Sequence, residues 1–414
     1  MKIKFYSTVL LFFTLFLTQA QSQGIHFEDK NDWKSILLKA KAENKYIFVD
    51  CYTTWCGPCR GMDADVFPLK EVGDFFNNKF INVKFQLDTT GNDPEQIKRQ
   101  YKDAAYIQKE YKINAYPTYL FFSPNGDLVH IDGGGCPAQE FISKGANALN
   151  PQTQYYTQVK KYENGNRDAS FLKNLTLLAL HAYDIPAISK YANDYYATQT
   201  DLLSNENLEF VYKTTLSTDD TGFTLMLHNL KKFKTVIDTQ TLHTTLIMII
   251  IRSEFQKDNT VGENWSEEEW NDFENMLLKK YPAYAEEVLV QIKTSDFIGK
   301  NDWKNYSKTV DKFISIQIPP NNILNDFAWI VFQRCNDTTV LENALIWSKK
   351  SFADQANVEP GYIDTYANIL YKLGRNKEAL EWEMKAQNIA VKEGSDSSWG
   401  KDVIEKMQKG EKTW

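Results

Sequence analysis

At 414 residues the chain has room for two or three domains. Its 43% hydrophobic and 24% charged residues, with 19 Gly and 12 Pro, exclude a disordered, collagen-like or low-complexity protein. The net charge of −7, with no long basic stripe, excludes the phosphate-neutralising surface of a nucleic-acid binder. Five cysteines, Cys51, Cys56, Cys59, Cys136 and Cys335, are too few and too unevenly placed for a disulfide framework.

The chain begins with Lys2 and Lys4, an apolar run from Val9 to Leu17, and the small-residue end Thr18-Gln19-Ala20. This order predicts a signal peptide over residues 1–20, cleaved after Ala20. The run falls short of the roughly 20 apolar residues that span a bilayer. The mature chain is therefore expected to be soluble and exported to the periplasm, where disulfides persist.

From 24 to 150, helical and strand patterns alternate. Asn31–Lys45 has helical spacing, with Trp33, Ile36, Leu37 and Ala40 on one face, and Tyr46–Tyr52 reads as a buried strand. Residues 57–79 read as helical, 81–87 as an alternating strand and 94–112 as a helix. Thr118–Phe122 and Asp127–Ile131 form a hairpin around Ser123-Pro124-Asn125-Gly126, and Pro137–Leu149 closes the region as a helix. The expected fold of 24–150 is an α/β domain with a mixed sheet flanked by helices.

After Asn150-Pro151 the strand signal stops. Predicted helices follow at 171–183, 186–198, 205–215, 221–237, 240–255, 266–281, 284–292 and 302–316. The apolar run Leu246–Ile251 is six residues long and reads as part of a buried helix. Near the end, Ala344, Trp347, Lys350 and Ser351 recur as Ala379, Trp382, Lys385 and Ala386, an offset of 35. The second copy resembles a tetratricopeptide repeat, with Ala367, Gly374, Ala379 and Ala386 at the family's small-residue positions. The resemblance implies an all-α helical-repeat domain over 321–414 and a helical domain of diverged repeats over 151–320.

The chemistry lies in Trp55-Cys56-Gly57-Pro58-Cys59. Two thiols separated by two residues at a strand-to-helix junction can close into a disulfide and reopen, and the helix N-terminus favours a thiolate. Cys56 is expected to be the exposed nucleophile and Cys59 the buried resolving thiol. A zinc site would need two further ligands, and His26, His130, His181, His228 and His243 form no ligand pair, so no metal and no cofactor are expected.

Residues 24–150 resemble thioredoxin. Val49-Asp50 precedes the motif by the family's spacing, which places Asp50 where thioredoxins keep a buried acid that moves the proton of Cys59. Lys84 matches the lysine that accompanies this acid. Tyr116-Pro117-Thr118 matches the cis-proline loop that holds an extended substrate strand, and Gly126 and Gly133 match later glycines, Gly133 beside the substrate groove. The resemblance implies Cys56, Cys59, Asp50 and Lys84 as catalytic residues and Trp55, Gly57, Pro58, Tyr116, Pro117 and Gly133 as substrate-binding residues. It implies a protein-disulfide reductase supplied by an inner-membrane thiol donor, with the helical region selecting peptide or protein clients. An oxidase or isomerase, or an adaptor or chaperone with an ancillary redox domain, are the alternatives.

Two departures stand out. The stretch from Asp88 to Pro117 is longer than in a minimal thioredoxin and lies just before the substrate loop, where it either shapes partner choice or is a neutral insertion. Cys51 points to the face opposite Asp50 and reads as a buried small hydrophobe. Cys136 and Cys335 read as unreactive thiols, with a link between them as the alternative.

Overall fold

The computed structural model describes residues 24–28, 32–256, 265–316, 319–353, 358–394, 396 and 398–414. The predicted signal peptide lies outside the described residues. The chain forms two compact units: one runs to Leu216 and adds Asp220–Val236, the other comprises Ser217–Asp219 and Ile237–Trp414.

In the first unit, α1 (Trp33–Glu43) starts where the Asp32 carboxylate accepts the Ser35 N–H at 2.8 Å. β1 (Tyr46–Tyr52) is buried along its centre, as expected of a strand covered on both faces. α2 (Gly57–Gly61) begins at Cys56 and continues into a π-helical turn over Met62–Val66. The helical stretch expected over 57–79 is divided at Pro68, which has no N–H to continue the ladder, and α3 (Lys70–Lys79) starts afresh after it. β2 (Phe80–Gln86), α4 (Glu95–Glu110), β3 (Thr118–Phe122), β4 (Leu128–Gly133) and α5 (Ala138–Leu149) complete the α/β part.

The sheet order is β2-β1-β3-β4, with β1 and β2 parallel and the other neighbours antiparallel. Phe48, Tyr119 and Phe121 face a core closed by Met62, Val66, Phe76 and Phe141. The Phe76 and Phe141 rings stack there at 4.5 Å. On the opposite face Trp33 packs edge-on against Phe122 at 5.0 Å. Cys51, in register with Phe85, is buried as a small apolar residue.

Helices α6 (Tyr155–Glu163), α7 (Ala169–His181), α8 (Ile185–Ala197), α9 (Asn205–Thr214), α10 (Thr221–His228) and α11 (Leu230–Phe233) belong to the same unit. The loss of strand signal at Asn150-Pro151 thus marks the end of the sheet and not the end of packing. The Tyr155 N–H donates to Nδ1 of buried His130 on β4 at 3.1 Å, which fastens α6 to the sheet edge. The helix expected over 171–183 stops at His181, and Tyr183 turns left-handed with φ 55°. The helix expected over 221–237 breaks at Asn229.

The second unit is helical: α12 (Thr239–Ile250), α13 (Glu267–Lys280), α14 (Ala285–Lys300), α15 (Trp303–Ile316), α16 (Asn321–Arg334), α17 (Thr338–Lys350), α18 (Pro360–Lys372), α19 (Asn376–Lys392) and α20 (Lys401–Lys409). α13 carries a complete Ser266/Glu269 capping box. Ala344 and Ala379, the small residues at offset 35, are both fully buried, as are Ser351 and Ala386. Trp347 is buried with its indole N–H on Asp311 at 2.8 Å, while its counterpart Trp382 is half-buried beside Phe352 and Tyr366. Cys335 is a free thiol buried in this unit's own core, and Cys136 is a half-buried free thiol in the first unit.

Candidate active site

Cys56 and Cys59 are joined in a disulfide, with their Cα atoms 5.3 Å apart. Cys56 is the N-cap of α2, and its Sγ accepts the Cys59 N–H at 3.1 Å. Both cysteines are only 3% exposed. The exposed position expected for Cys56 is therefore absent in this closed form, because the N-cap geometry turns the sulfur inward toward the helix N-terminus. The loop before it is held from the segment after β2: the Thr54 N–H donates to Asp88 at 2.9 Å, and the Thr54 hydroxyl makes a second bond to the same carboxylate.

Asp50 and Lys84 face each other in the β1–β2 register, with Tyr119 opposite Asp50 on β3. Lys84 Nζ lies 3.3 Å from Asp50, also pairs with Asp63, and sits 4.4 Å from the Tyr52 ring. Burial pushes the Asp50 carboxyl up to about 6 against the pull of the Lys84 ammonium, and the Asp63 charge adds to the rise. Among the described residues Asp50 Oδ1 and the Tyr119 hydroxyl, both buried, have no hydrogen-bond partner. An acid poised in this range and short of a partner is equipped to take up and return a proton. Asp63 and Tyr119 were not singled out from sequence. Asp63 stands one helical turn after Cys59, a spacing that could have revealed it.

Tyr116–Pro117 is a cis peptide, and Pro117 is buried. The Tyr116 hydroxyl accepts from Gln108 Nε2 at 3.0 Å, which ties the loop to α4. The Tyr116 ring meets Trp55 edge-on at 5.6 Å, and Trp55 is 67% exposed. Gly57 and Pro58 are exposed beside them. Gly133 pairs with Thr118 and its carbonyl accepts from Lys144 at 3.2 Å, but Gly133 is buried and its Cα faces the Tyr183 ring rather than open solvent. Trp55, Cys56, Gly57, Pro58, Tyr116 and Pro117 thus form one rim, with Gly133 beneath its edge.

Residues 33–148 match the thioredoxin-like domain family. With the mixed sheet and the Cys56–Cys59 pair, this part of the chain is a thioredoxin-like domain, followed by a largely helical region. Over 112 residues the chain is 36% identical to chloroplastic thioredoxin Y of Oryza sativa subsp. japonica, covering 27% of this chain and 55% of that one. Over 96 residues it is 31% identical to the thiol:disulfide interchange protein DsbD of Pseudoalteromonas atlantica, covering 23% of this chain and 14% of that one. The solution structure of a proposed disulphide-isomerase from Bacteroides thetaiotaomicron is 33% identical over 32% of this chain and 98% of its own, with a TM-score of 0.26. The chain therefore spans about half of the rice protein and a small part of DsbD. Among the described residues no helix is long and apolar enough to cross a membrane.

Proposed function

We propose that the chain is an exported thiol–disulfide oxidoreductase that reduces protein disulfides. The observation that carries this reading is the Cys56–Cys59 pair, closed across one turn at the start of α2 in a domain that matches the thioredoxin-like family. In the reduced protein the Cys56 thiolate attacks one sulfur of a client disulfide. The client S–S bond breaks, and the departing client sulfur leaves as a thiolate that takes a proton from water. Cys59 then gives its proton to the Asp50 carboxylate and attacks the Cys56 sulfur, breaking the bond to the client. The second client sulfur leaves as a thiolate and recovers that proton. The client gains two electrons and two protons, the pair is oxidised, and a thiol donor at the inner membrane returns the electrons. Lys84 and Asp63 tune the Asp50 carboxyl.

Reduction is the proposed direction because Gly57-Pro58 is the dipeptide thioredoxins use, and relatives named thioredoxin and thiol:disulfide interchange protein support exchange at the pair. The signal-peptide pattern of residues 1–20 supports export. The helical region, read as tetratricopeptide-like repeats toward its end, is assigned to client binding on the strength of the 35-residue repeat.

The full chain should reduce insulin with a dithiol as electron source. Cys56→Ser should lower the rate at least about a thousandfold, and Cys59→Ser should accumulate mixed disulfides with clients in cells. A folded Cys59→Ser protein that traps nothing overturns the reading. A pair found fully oxidised in cells, with no reductase partner, overturns its direction.

A further inference from the structure

The helices that follow the sheet reach the rim of the cysteine site. Ala182 caps α7, and Tyr183 takes φ 55°, with the Asp184 N–H on the Ala179 carbonyl at 3.1 Å. This is the helix-ending position that glycine normally fills, and left-handed backbone disfavours a side chain. Its neighbour is held firmly: Asp184 accepts the Tyr155 hydroxyl at 2.8 Å and caps α8 through the Ala187 N–H at 3.3 Å. Tyr155 is itself bonded to His130 of β4, so the direction of Tyr183 is set from the sheet.

The Tyr183 ring lies on the glycines beside Pro117. A β-carbon at Gly133 would fall 2.5 Å from Tyr183 Cε2 and 2.8 Å from the Pro117 carbonyl oxygen. One at Gly134 would fall 3.3 Å from the Tyr183 hydroxyl. At Gly135 it would meet Pro58 of the cysteine loop at 3.3 Å. The cysteine loop, the Pro117 loop and Tyr183 therefore form one continuous edge. Tyr183 is nevertheless 43% exposed and Ile185 48% exposed. Beside them opens a cleft of about 620 Å³, lined by Tyr183 and Ile185 together with Tyr111, Ile113, Thr118 and Tyr156. Its walls come from the segment following α4, from the sheet, and from α6 and α8. The first of these belongs to the stretch between Asp88 and Pro117 that is longer than a minimal thioredoxin requires.

We propose that Tyr183 is a specificity-determining residue, and that the cleft it borders takes the apolar side chains of an extended client segment flanking the target disulfide. The occupant follows from continuity. A strand held at the Pro117 loop with its sulfur at Cys56 can continue past Tyr183, which lies against Gly133 and Gly134 beside that loop, and Thr118, the residue after Pro117, lines the cleft. A strained, exposed aromatic at such an edge offers large contact area with few rotatable bonds. The inference rests on the oxidoreductase reading.

The test uses the full chain and peptide disulfides that carry Leu or Phe, or else Gly, two to four residues from the cysteine. The ratio of kcat/KM for apolar-flanked over Gly-flanked peptides should fall about tenfold in Tyr183→Gly, and Tyr183→Phe should keep it. Glycine suits the left-handed position, so the variant is expected to fold, and its melting midpoint checks this. Binding of the same peptides with Ser in place of Cys to the oxidised protein gives a readout independent of turnover, and should weaken in parallel. An unchanged ratio with unchanged Ser-peptide binding overturns the proposal. So does concentration-dependent self-association that Tyr183→Gly abolishes, which would assign the face to a second copy. A wild-type protein that reduces neither a small aromatic disulfide nor any peptide sinks the oxidoreductase reading instead, and the Ser-peptide comparison still decides the cleft.

Discussion

The two units give buried acids different partners. In the first, buried acids meet lysines: Asp132 holds Lys144 at 2.6 Å with both side chains almost fully buried, and Asp50 sits 3.3 Å from Lys84. In the second, two acids come together: half-buried Asp364 on α18 and fully buried Glu383 on α19. Burial is the main cause that pushes both carboxyls up, and the Asp364 charge adds to the rise of Glu383. An ion pair keeps its charges and fixes geometry, as Asp132 does by also accepting the Gly133 N–H at 2.7 Å. A carboxyl pair instead retains a proton, and its stability follows pH. The first unit has a fixed ionic contact at Asp132 and Lys144, and the helical unit has a proton-dependent seam between its last long helices.

The largest effect should come from breaking the ion pair. Lys144→Met leaves the Asp132 carboxylate buried without its counter-charge and should destabilise the first unit by about 3–5 kcal/mol, read by urea unfolding. Adding Asp132→Asn should restore part of that loss; no recovery would mean that packing rather than charge holds this edge. In the second unit the sign runs with the proton. Acids whose folded pKa is raised contribute stability that is present below about pH 4 and lost as pH rises. The helical unit should therefore lose about 2–3 kcal/mol between about pH 6 and 8, and Glu383→Gln should flatten that slope. A slope unchanged by Glu383→Gln would remove the contrast between the units.

The smallest stability effect is expected at Asp50, whose carboxyl lies at about 6. Its burial costs stability as pH rises from about 4 through 6, so Asp50→Asn should gain about 1–3 kcal/mol above that range. The same variant should slow disulfide reduction about tenfold or more at neutral pH and remove the rise in rate through about pH 6. Gained stability with unchanged turnover would make Asp50 a structural acid only.

The cysteine pair was legible from its own spacing, and the places of Asp50, Lys84 and the Pro117 loop from the resemblance to thioredoxin. So was the alternation that ends at Asn150, although α6 to α11 pack with the sheet unit beyond it. The interruption at Pro68 was legible in principle, since proline removes an N–H wherever it stands. The cover over Gly133 was not. It depends on Tyr183, distant in sequence, in a left-handed turn that its residue type disfavours. The inward turn of Cys56 also escaped, because it arises from the N-cap bond in the closed pair.

What the sequence by itself determined is local: the redox motif, the strand and helix periods, and the repeat at offset 35, all set by residues within a turn or a strand of one another. The tertiary structure alone decided which distant groups share a surface. Tyr183 reaches Gly133 and Asp132 reaches Lys144 only once the sheet edge and the following helices have packed, because such contacts depend on how whole elements dock and leave no period in the chain.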